Sequence, residues 1–220
     1  MALHENPEKL RKKTLRERIY EEVVNLIVSG ELPSGEWVSE KEVTEKLQVS
    51  RSPYREAMGA LAKEGLIDFK SYRGFYVRSF SRKEVEDLYE LYKRLECFAV
   101  ELAVPQVSDS DIDRLEHTRA KLATALRCGD MKTYAVHDLE FFAIIADRSG
   151  NAALTETRTR FLRQIQLCGT IANESSEFAE RAEHGREDIV HAFRARDVPR
   201  AVFLTRGLIG YVQAAVLARL

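Results

Sequence analysis

Hydrophobic residues at helical spacing and clear turn signals divide the first third of the chain into short elements. Ile19, Val23 and Ile27 recur at intervals of four residues, as on the buried face of a helix. The pattern Thr-x-x-Glu at residues 14–17 is a capping box and predicts that this helix begins there. Gly30 predicts where it ends.

A second and a third helix are predicted before Gly65. A capping-box pattern at residues 39–42 begins the second helix. Ser52 is a candidate N-cap with Pro53 at the first helical position, so the third helix is expected to start there and to run to about residue 64.

Two short strands are predicted after the third helix. The segments LIDFK and FYVRSF are rich in residues that favour strands, and the turn sequence SYRG joins them. The order helix, helix, helix, hairpin is typical of a winged helix-turn-helix.

The remainder of the chain has no strand signals after a third capping box at residues 81–84. Turn residues, including the segment ANESS, separate helical segments predicted at residues 82–104, 108–127, 131–147, 151–172, 176–195 and 198–219. Short connections between long helices imply antiparallel neighbours. The expected fold is therefore mainly α, with a winged helix-turn-helix at 1–80 and an antiparallel bundle of six to seven helices at 81–220.

Composition and charge narrow the class of protein only modestly. The chain has 220 residues, of which 45% are hydrophobic and 31% charged, as in an ordinary soluble protein. It has no apolar run of membrane-spanning length and no signal-peptide pattern, so a cytoplasmic location is expected. Cys97, Cys128 and Cys168 are far apart and are expected to be reduced, buried thiols. The net charge is -1, but residues 9–18 form a basic arm leading into the first helix.

The start of the third helix carries the candidate DNA-reading chemistry. In a helix-turn-helix the second of the two helices enters the major groove with its N-terminal residues leading. Arginine there can bind guanine O6 and N7 with both arms, and serine hydroxyls suit phosphate. Glycine at the hairpin tip lets the backbone approach a minor groove. The residues predicted to contact DNA are Lys41, Ser50, Arg51, Ser52, Arg55, Arg73 and Gly74.

The stretch GELPSGEWVSEKEVTEKLQVSRSPYREAMGALAKEGLIDFKSYRGFYV resembles the DNA-binding domain of GntR-type transcription regulators. The resemblance covers residues 14–79 and implies DNA contacts from Lys41, Arg51, Arg55 and Gly74. Tyr54 stands where valine is common in the family. Two interpretations of Tyr54 are open, an added phosphate contact or a change of packing.

The second half resembles the ligand-binding domain of the FadR subfamily, in the segments VEDLYELYKRLECFAVELA, HDLEFFAIIADRSGN and EHGREDIVHAFRARDVPRAVFLTRGL. The resemblance implies an effector pocket, which in many members holds a metal through one aspartate and three histidines, with an arginine for a carboxylate effector. By position, the pocket residues here are Tyr92, Asp138, Phe142, His184 and Leu208.

These five residues depart from the metal-binding pattern. Asp138 and His184 match two of the ligands, but Phe142 and Leu208 replace histidines and Tyr92 replaces the arginine. One carboxylate and one imidazole fall short of the three protein ligands that zinc needs. No metal or other cofactor is therefore expected, with Asp138 and His184 as weak candidates for metal binding, or else as a buried hydrogen-bonded pair or a solvated pair. Losing the cation favours an aromatic or acyl effector over a small dicarboxylate.

Two classes of function follow. The first is a homodimeric transcription regulator, expected to be a repressor, that reads an inverted-repeat operator in double-stranded DNA and responds to a metabolite. A constitutive regulator without effector response is its variant. The second is a helical-bundle metalloenzyme, which no recognisable nucleophile, base or phosphate loop supports. The chain is therefore expected not to be an enzyme.

Overall fold

The computed structural model describes residues 13–172 and 176–220. We call residues 13–80 the head and the described residues from 81 onward the bundle. Lys9, Arg11 and Lys12 of the basic arm lie outside the described residues, as does the middle of the break predicted at ANESS.

The head begins with three helices, α1 (Leu15–Val28), α2 (Glu40–Leu47) and α3 (Arg51–Lys63). Both bonds of the capping box between Thr14 and Glu17 form at the start of α1. At α2 the Ser39 hydroxyl accepts the Glu42 N–H at 3.2 Å. These local bonds satisfy amide groups that have no partner inside the helix, which is why the sequence pattern locates the helix starts.

The start of α3 differs from the prediction. The N-cap is Ser50 and the helix begins at Arg51, so Ser52 is not the cap and Pro53 lies within the first turn. Proline is tolerated there because the amides of the first turn have no helical acceptor in any case. The earlier start adds Arg51 and Ser52 to the helix and places both at its leading end.

A two-stranded antiparallel hairpin, β1 (Ile67–Lys70) and β2 (Gly74–Val77), completes the head. Ile67 faces Val77 across the ladder, and both side chains are buried. The observed hairpin confirms the predicted one, although β2 ends before the segment Arg-Ser-Phe that follows Val77.

The bundle consists of long helices that match the predicted segments to within two residues at each described end. Their bounds are α4 (Arg82–Ala103), α5 (Asp109–Arg127), α6 (Met131–Arg148), α7 (Ala152–Ala172), α8 (Ser176–Arg194) and α9 (Val198–Leu217). A short 3-10 turn, Val104–Gln106, follows α4. The mainly α architecture with one small hairpin is thereby confirmed.

The hydrophobic core of the head continues into the bundle. Ile19 and Leu61 of the head belong to the same buried cluster as Tyr89 of α4 and Leu167 of α7. The head and the bundle therefore share a close-packed core cluster.

The cysteine prediction is partly wrong. Cys97 and Cys168 are buried free thiols, and burial raises the pKa of Cys168 to about 12. Cys128 is exposed, because it follows the last residue of α5 at a surface turn.

Candidate DNA-reading surface and ligand cavity

The N-terminal end of α3 is a polar surface. Arg51, Ser52 and Arg55 are exposed there, and Lys41 is exposed in the first turn of α2. Arg51 Nε lies 3.0 Å from Glu40 Oε1, with 84% of the arginine side chain exposed. A contact this exposed contributes little to stability, so Arg51 can exchange Glu40 for another partner.

Arg55 of α3 and Arg73 of the hairpin both line a groove between these two elements. The groove, of about 420 Å³, is lined by both arginines and by exposed aromatic rings, including those of Trp37 and Phe69. Neither guanidinium group has a side-chain hydrogen bond or ion pair among the described residues. Both cations are available to a phosphate or a base edge.

The serines and Tyr54 take different roles at this end of α3. The Ser50 hydroxyl makes no capping bond, whereas Ser52 Oγ donates to Glu56 Oε1 at 3.3 Å. Tyr54 is buried and its hydroxyl donates to the Val38 carbonyl at 3.1 Å. Of the two interpretations of Tyr54, the structure supports the change of packing.

Gly74 is held by backbone geometry. Its φ is +90°, and a Cβ there would lie 3.2 Å from Trp37 Nε1. A side chain at this position would be strained and crowded, so the glycine lets the hairpin lie against Trp37 irrespective of any approach to DNA.

A cavity of about 110 Å³ lies inside the bundle, between α4, α6, α7, α8 and α9, with Val28 of α1 completing the wall. Four of the five predicted pocket residues line it: Tyr92, Asp138, Phe142 and Leu208. Its walls are mainly aromatic and aliphatic, the usual composition of a small-molecule site.

His184, the fifth predicted pocket residue, does not line this cavity, and the predicted pair with Asp138 does not form. His184 is exposed and its Nδ1 lies 2.8 Å from the carbonyl oxygen of Glu180 on its own helix. Arg186 takes its place on the cavity wall. Two residues along a helix correspond to a rotation of about 200°, so the two side chains point to opposite sides.

Arg186 binds Asp138 across the cavity wall. Its Nη2 and Nε donate to Asp138 Oδ1 at 2.5 and 3.2 Å, and its guanidinium carbon lies 5.5 Å from the Tyr134 ring centroid. Burial alone would lower the pKa of Arg186, but the interactions with Tyr134 and Asp138 outweigh it and hold the pKa above its usual range. The arginine is a permanent cation, already paired with the cavity's aspartate.

A buried ion pair lies behind Tyr92. Arg158 of α7 donates from Nε to Glu96 Oε1 of α4, and both side chains are almost fully buried. Burial raises the pKa of Glu96, although Arg158 opposes the shift. Neither of the two buried arginines was predicted from the sequence. A signal was present, because each arginine interrupts an apolar stripe at helical spacing. Arg186 lies between Ala182 and Ile189, and Arg158 lies between Leu154 and Phe161.

The pairing of Asp138 with Arg186 also bears on whether the cavity could hold a metal. Among the described residues no three histidine, cysteine, aspartate or glutamate side chains converge in a way that could hold a metal. Asp138, the one carboxylate that the described residues place on the cavity wall, already accepts from Arg186. The donor set around the cavity therefore does not fit the four-ligand metal site that the resemblance implied.

Two family models match the chain. The model described as "Bacterial regulatory proteins, gntR family" matches residues 15–77, and the model of the FCD domain matches residues 87–210, more than half of the chain. The first falls on the head and the second on the bundle that contains the cavity.

Individual relatives agree with this assignment. The "Uncharacterized HTH-type transcriptional regulator YdhC" of Bacillus subtilis is 28% identical over 77% of this chain and 77% of its own. The "Probable D-xylose utilization operon transcriptional repressor" of Paenarthrobacter nicotinovorans is 25% identical over 94% of this chain and 91% of its own. A crystal structure of a putative GntR regulator from Rhodococcus sp. RHA1 has the same fold, with a TM-score of 0.82 at 20% identity over 93% of this chain and 98% of that one.

The comparisons and the fold exclude the enzyme alternative, because the family and its named members are regulators. Among the described residues, no helix is both long enough and apolar enough to cross a membrane. The two family matches, which fall on the head with its exposed end of α3 and on the bundle with its cavity, show that the chain belongs to the GntR family of bacterial regulatory proteins with an FCD domain and is a DNA-binding transcription regulator that responds to a ligand.

Proposed function

We propose that the protein is a homodimeric repressor that reads an inverted-repeat operator with α3 and the hairpin, and that a small molecule in the bundle cavity releases it. The observation that carries this proposal is the shared wall of the cavity. Val28 of the head lines it together with residues of α7, including Ile165 and Gly169.

The residues of the reading surface suit contacts with different parts of the DNA. Arg51 and Arg55 at the leading end of α3 suit base edges in the major groove, because a guanidinium can donate two parallel bonds to guanine. Lys41, Ser50 and Ser52 suit the phosphates on either side. Arg73 and Gly74 at the hairpin tip suit the adjacent minor groove.

The contacts between head and bundle support ligand control. Arg78 Nη2 of the head donates to Glu84 Oε1 of α4 at 2.8 Å, and Gln164 of α7 bonds to the end of α3. A ligand that displaces α7 or Val28 changes these contacts. The head then loses the position that fits DNA, which is the coupling that an effector needs.

Dimerisation has a candidate surface on α4 and α9. Cys97 of α4 contacts the Val202 carbonyl of α9 at 3.8 Å, and the next residue of each helix, Phe98 and Phe203, is exposed by 44% and 73%. Leu91, two turns earlier on α4, is also exposed. We propose that a second copy covers this apolar surface and thereby presents two heads to the two halves of the operator.

Repression rather than activation is supported by the printed names of relatives. The proteins from Paenarthrobacter nicotinovorans and from Escherichia coli strain K12 are named as transcriptional repressors. The competing candidate is a regulator that binds DNA constitutively. It would be favoured if no ligand altered the affinity for DNA.

The test begins with operator sequences selected from random double-stranded DNA by the full-length protein. A thermal-shift screen then identifies ligands, and the affinity for the selected operator is measured with and without each hit. A ligand that raises the melting temperature should weaken operator binding by about five- to 150-fold, the usual range of allosteric coupling. If the protein selects no sequence, or if every stabilising ligand leaves the operator affinity unchanged, the proposal is wrong.

A further inference from the structure

We propose that the cavity selects a small uncharged molecule with an apolar body and a hydrogen-bond acceptor, such as a carbonyl oxygen, which Arg186 and Tyr89 bind. This inference rests on the proposed function and specifies the chemical class of its effector. It differs from the metal-bound carboxylate that the family resemblance implied.

The walls determine the body of the ligand. Apart from Asp138 and Arg186, the lining side chains carry no charge, and the largest contributions are rings and branched aliphatic groups, including Tyr92, Phe142, Leu162 and Leu208. An apolar ligand body gains about 25 cal/mol for each Å² that it buries against them.

The charge balance argues against an anionic ligand. Arg186 is already neutralised by Asp138, and the nearby Arg158 is neutralised by Glu96. A carboxylate ligand would therefore bring a second negative charge next to Asp138 without an unmatched cation on the wall, which is costly in a buried site. A cationic ligand would likewise find no unmatched anion, because Asp138 is already paired with Arg186.

Two buried donors that belong to wall residues lack an acceptor. Arg186 Nη1 and the Tyr89 hydroxyl are buried, and neither has a hydrogen-bond partner among the described residues. Burial raises the pKa of Tyr89 well above its usual value, so its hydroxyl stays protonated and able to donate. A carbonyl oxygen offers two lone pairs and can satisfy donors that would otherwise remain buried and unpaired.

The volume limits the size of the ligand. A cavity of about 110 Å³ is smaller than an apolar cavity of about 150 Å³ that accepts benzene. A ring-sized ligand therefore has to displace part of the wall, and Val28 of α1 and Gly169 of α7 are part of that wall. Binding of such a ligand is thus linked to movement at the head.

The test uses three probes of similar size on the full-length protein: benzamide, benzoate and benzylamine, in which the group attached to the ring is uncharged, negative and positive. Titration calorimetry near pH 7 should give a dissociation constant of about millimolar for benzamide, as expected for a ligand of this size. Benzoate and benzylamine should each bind at least about tenfold more weakly, because their charge has no free partner in the cavity. Benzoate or benzylamine binding as tightly as benzamide, or no binding of benzamide, would overturn the assignment.

Variants locate the binding site and its donors. Tyr89→Phe removes one unpaired hydroxyl and no described hydrogen bond, so it should weaken benzamide by about two- to tenfold while the fold is retained. Gly169 lines the cavity and an added Cβ meets no atom within 4 Å, so Gly169→Leu should fill the cavity and abolish binding, whereas Gly169→Ala should retain it. Unchanged affinity in both Tyr89→Phe and Gly169→Leu would contradict the inference.

Binding and DNA release are measured separately, which keeps this inference distinguishable from the proposed function. Preferential binding of benzamide without an effect on the operator supports the chemistry of the cavity but contradicts control of DNA binding by the ligand. Release of the operator by benzoate or benzylamine, and not by benzamide, supports the regulator but contradicts the uncharged ligand.

Discussion

Gln164 Nε2 of α7 donates a 2.9 Å hydrogen bond to the carbonyl oxygen of Glu64, the C-cap residue of α3. Glu64 also accepts a bond from the Tyr20 hydroxyl of α1 at 2.5 Å. Neighbouring residues of α7, Ile165 and Gln166, line the cavity. One helix therefore contacts both the cavity and the end of α3, the helix proposed to read DNA.

Gln164→Ala removes this contact without touching the reading surface. We expect the effect of a bound ligand on operator affinity to fall by about threefold or more, since residues between two sites contribute about 0.5 to 2 kcal/mol to coupling. Thermal-shift binding of the ligand should persist. Thr157→Ala is the control, because Thr157 is exposed on α7 and its hydroxyl bonds only within the helix. Equal coupling in wild type and Gln164→Ala would argue that α7 does not transmit the signal.

Arg51→Ala and Arg55→Ala should each weaken specific operator binding by about 1 to 3 kcal/mol, as expected for the loss of an arginine that binds a base. Fluorescence anisotropy on the selected operator measures the change. Lys63→Ala is a matched control, since Lys63 is exposed at the opposite end of the same helix. If Lys63→Ala were as damaging as either arginine variant, the N-terminal end of α3 would not be the reading end.

Acid should destabilise the start of α4 through Glu84. The backbone N–H and the hydroxyl of Ser81, and then Arg78, bind this carboxylate and lower its pKa from 4.5 to about 2. A lowered pKa in the folded state means that the stabilisation is present above pH 4.5 and is lost as the pH falls towards 2. Urea unfolding as a function of pH should show a smaller loss of stability in Glu84→Gln than in wild type. Glu101→Gln, on an exposed part of the same helix, should follow the wild-type profile.

The buried pair of Glu96 and Arg158 should depend on both partners. Arg158→Met leaves a carboxylate buried without its cation and should lower the free energy of unfolding by about 3 to 5 kcal/mol, whereas Glu96→Leu together with Arg158→Met should recover most of this loss. Chemical denaturation measures both. Arg160→Met is the control, because Arg160 lies two residues away on the exposed side of α7. A double variant no more stable than Arg158→Met would contradict the buried-pair explanation.

Dimerisation is tested by placing a charge on the apolar surface of α4 and α9. Phe98→Glu and Phe203→Glu should shift the protein from dimer to monomer at micromolar concentration in light scattering, because each would bury an unpaired carboxylate between two copies. Val136→Glu is the matched control, since Val136 is an exposed apolar residue on α6. A monomeric wild type, or dimers that withstand both phenylalanine variants, would show that this surface is not the interface.

Much of the fold could be predicted because its signals are local. Capping boxes and glycines lie within a few residues of the helix ends that they determine, so the described bounds agree closely with the sequence pattern. The start of α3 was misplaced by the proline at residue 53, which the first turn of a helix tolerates at more than one position.

The cavity could be predicted only in part because its polar contacts join distant helices. The family motif correctly located four residues of the cavity wall: Tyr92, Asp138, Phe142 and Leu208. At Glu183-His184 it selected His184, which lies on the side of α8 that faces away from the cavity. The stripe of buried residues on α8 includes Arg186, and only the folded structure, which brings Asp138 of α6 within hydrogen-bond distance, reveals that Asp138 is its partner. A pairing over 48 residues of sequence has no local signal.

The most direct test of whether a ligand in the cavity controls DNA binding compares wild type with Gly169→Leu. Operator binding by both proteins is measured side by side with and without a stabilising ligand. Leucine at residue 169 occupies the cavity while the reading surface is unchanged. We expect the ligand to weaken operator binding by wild type about tenfold or more and to leave the operator affinity of Gly169→Leu unchanged. A ligand that shifts the operator affinity of both proteins equally would contradict it.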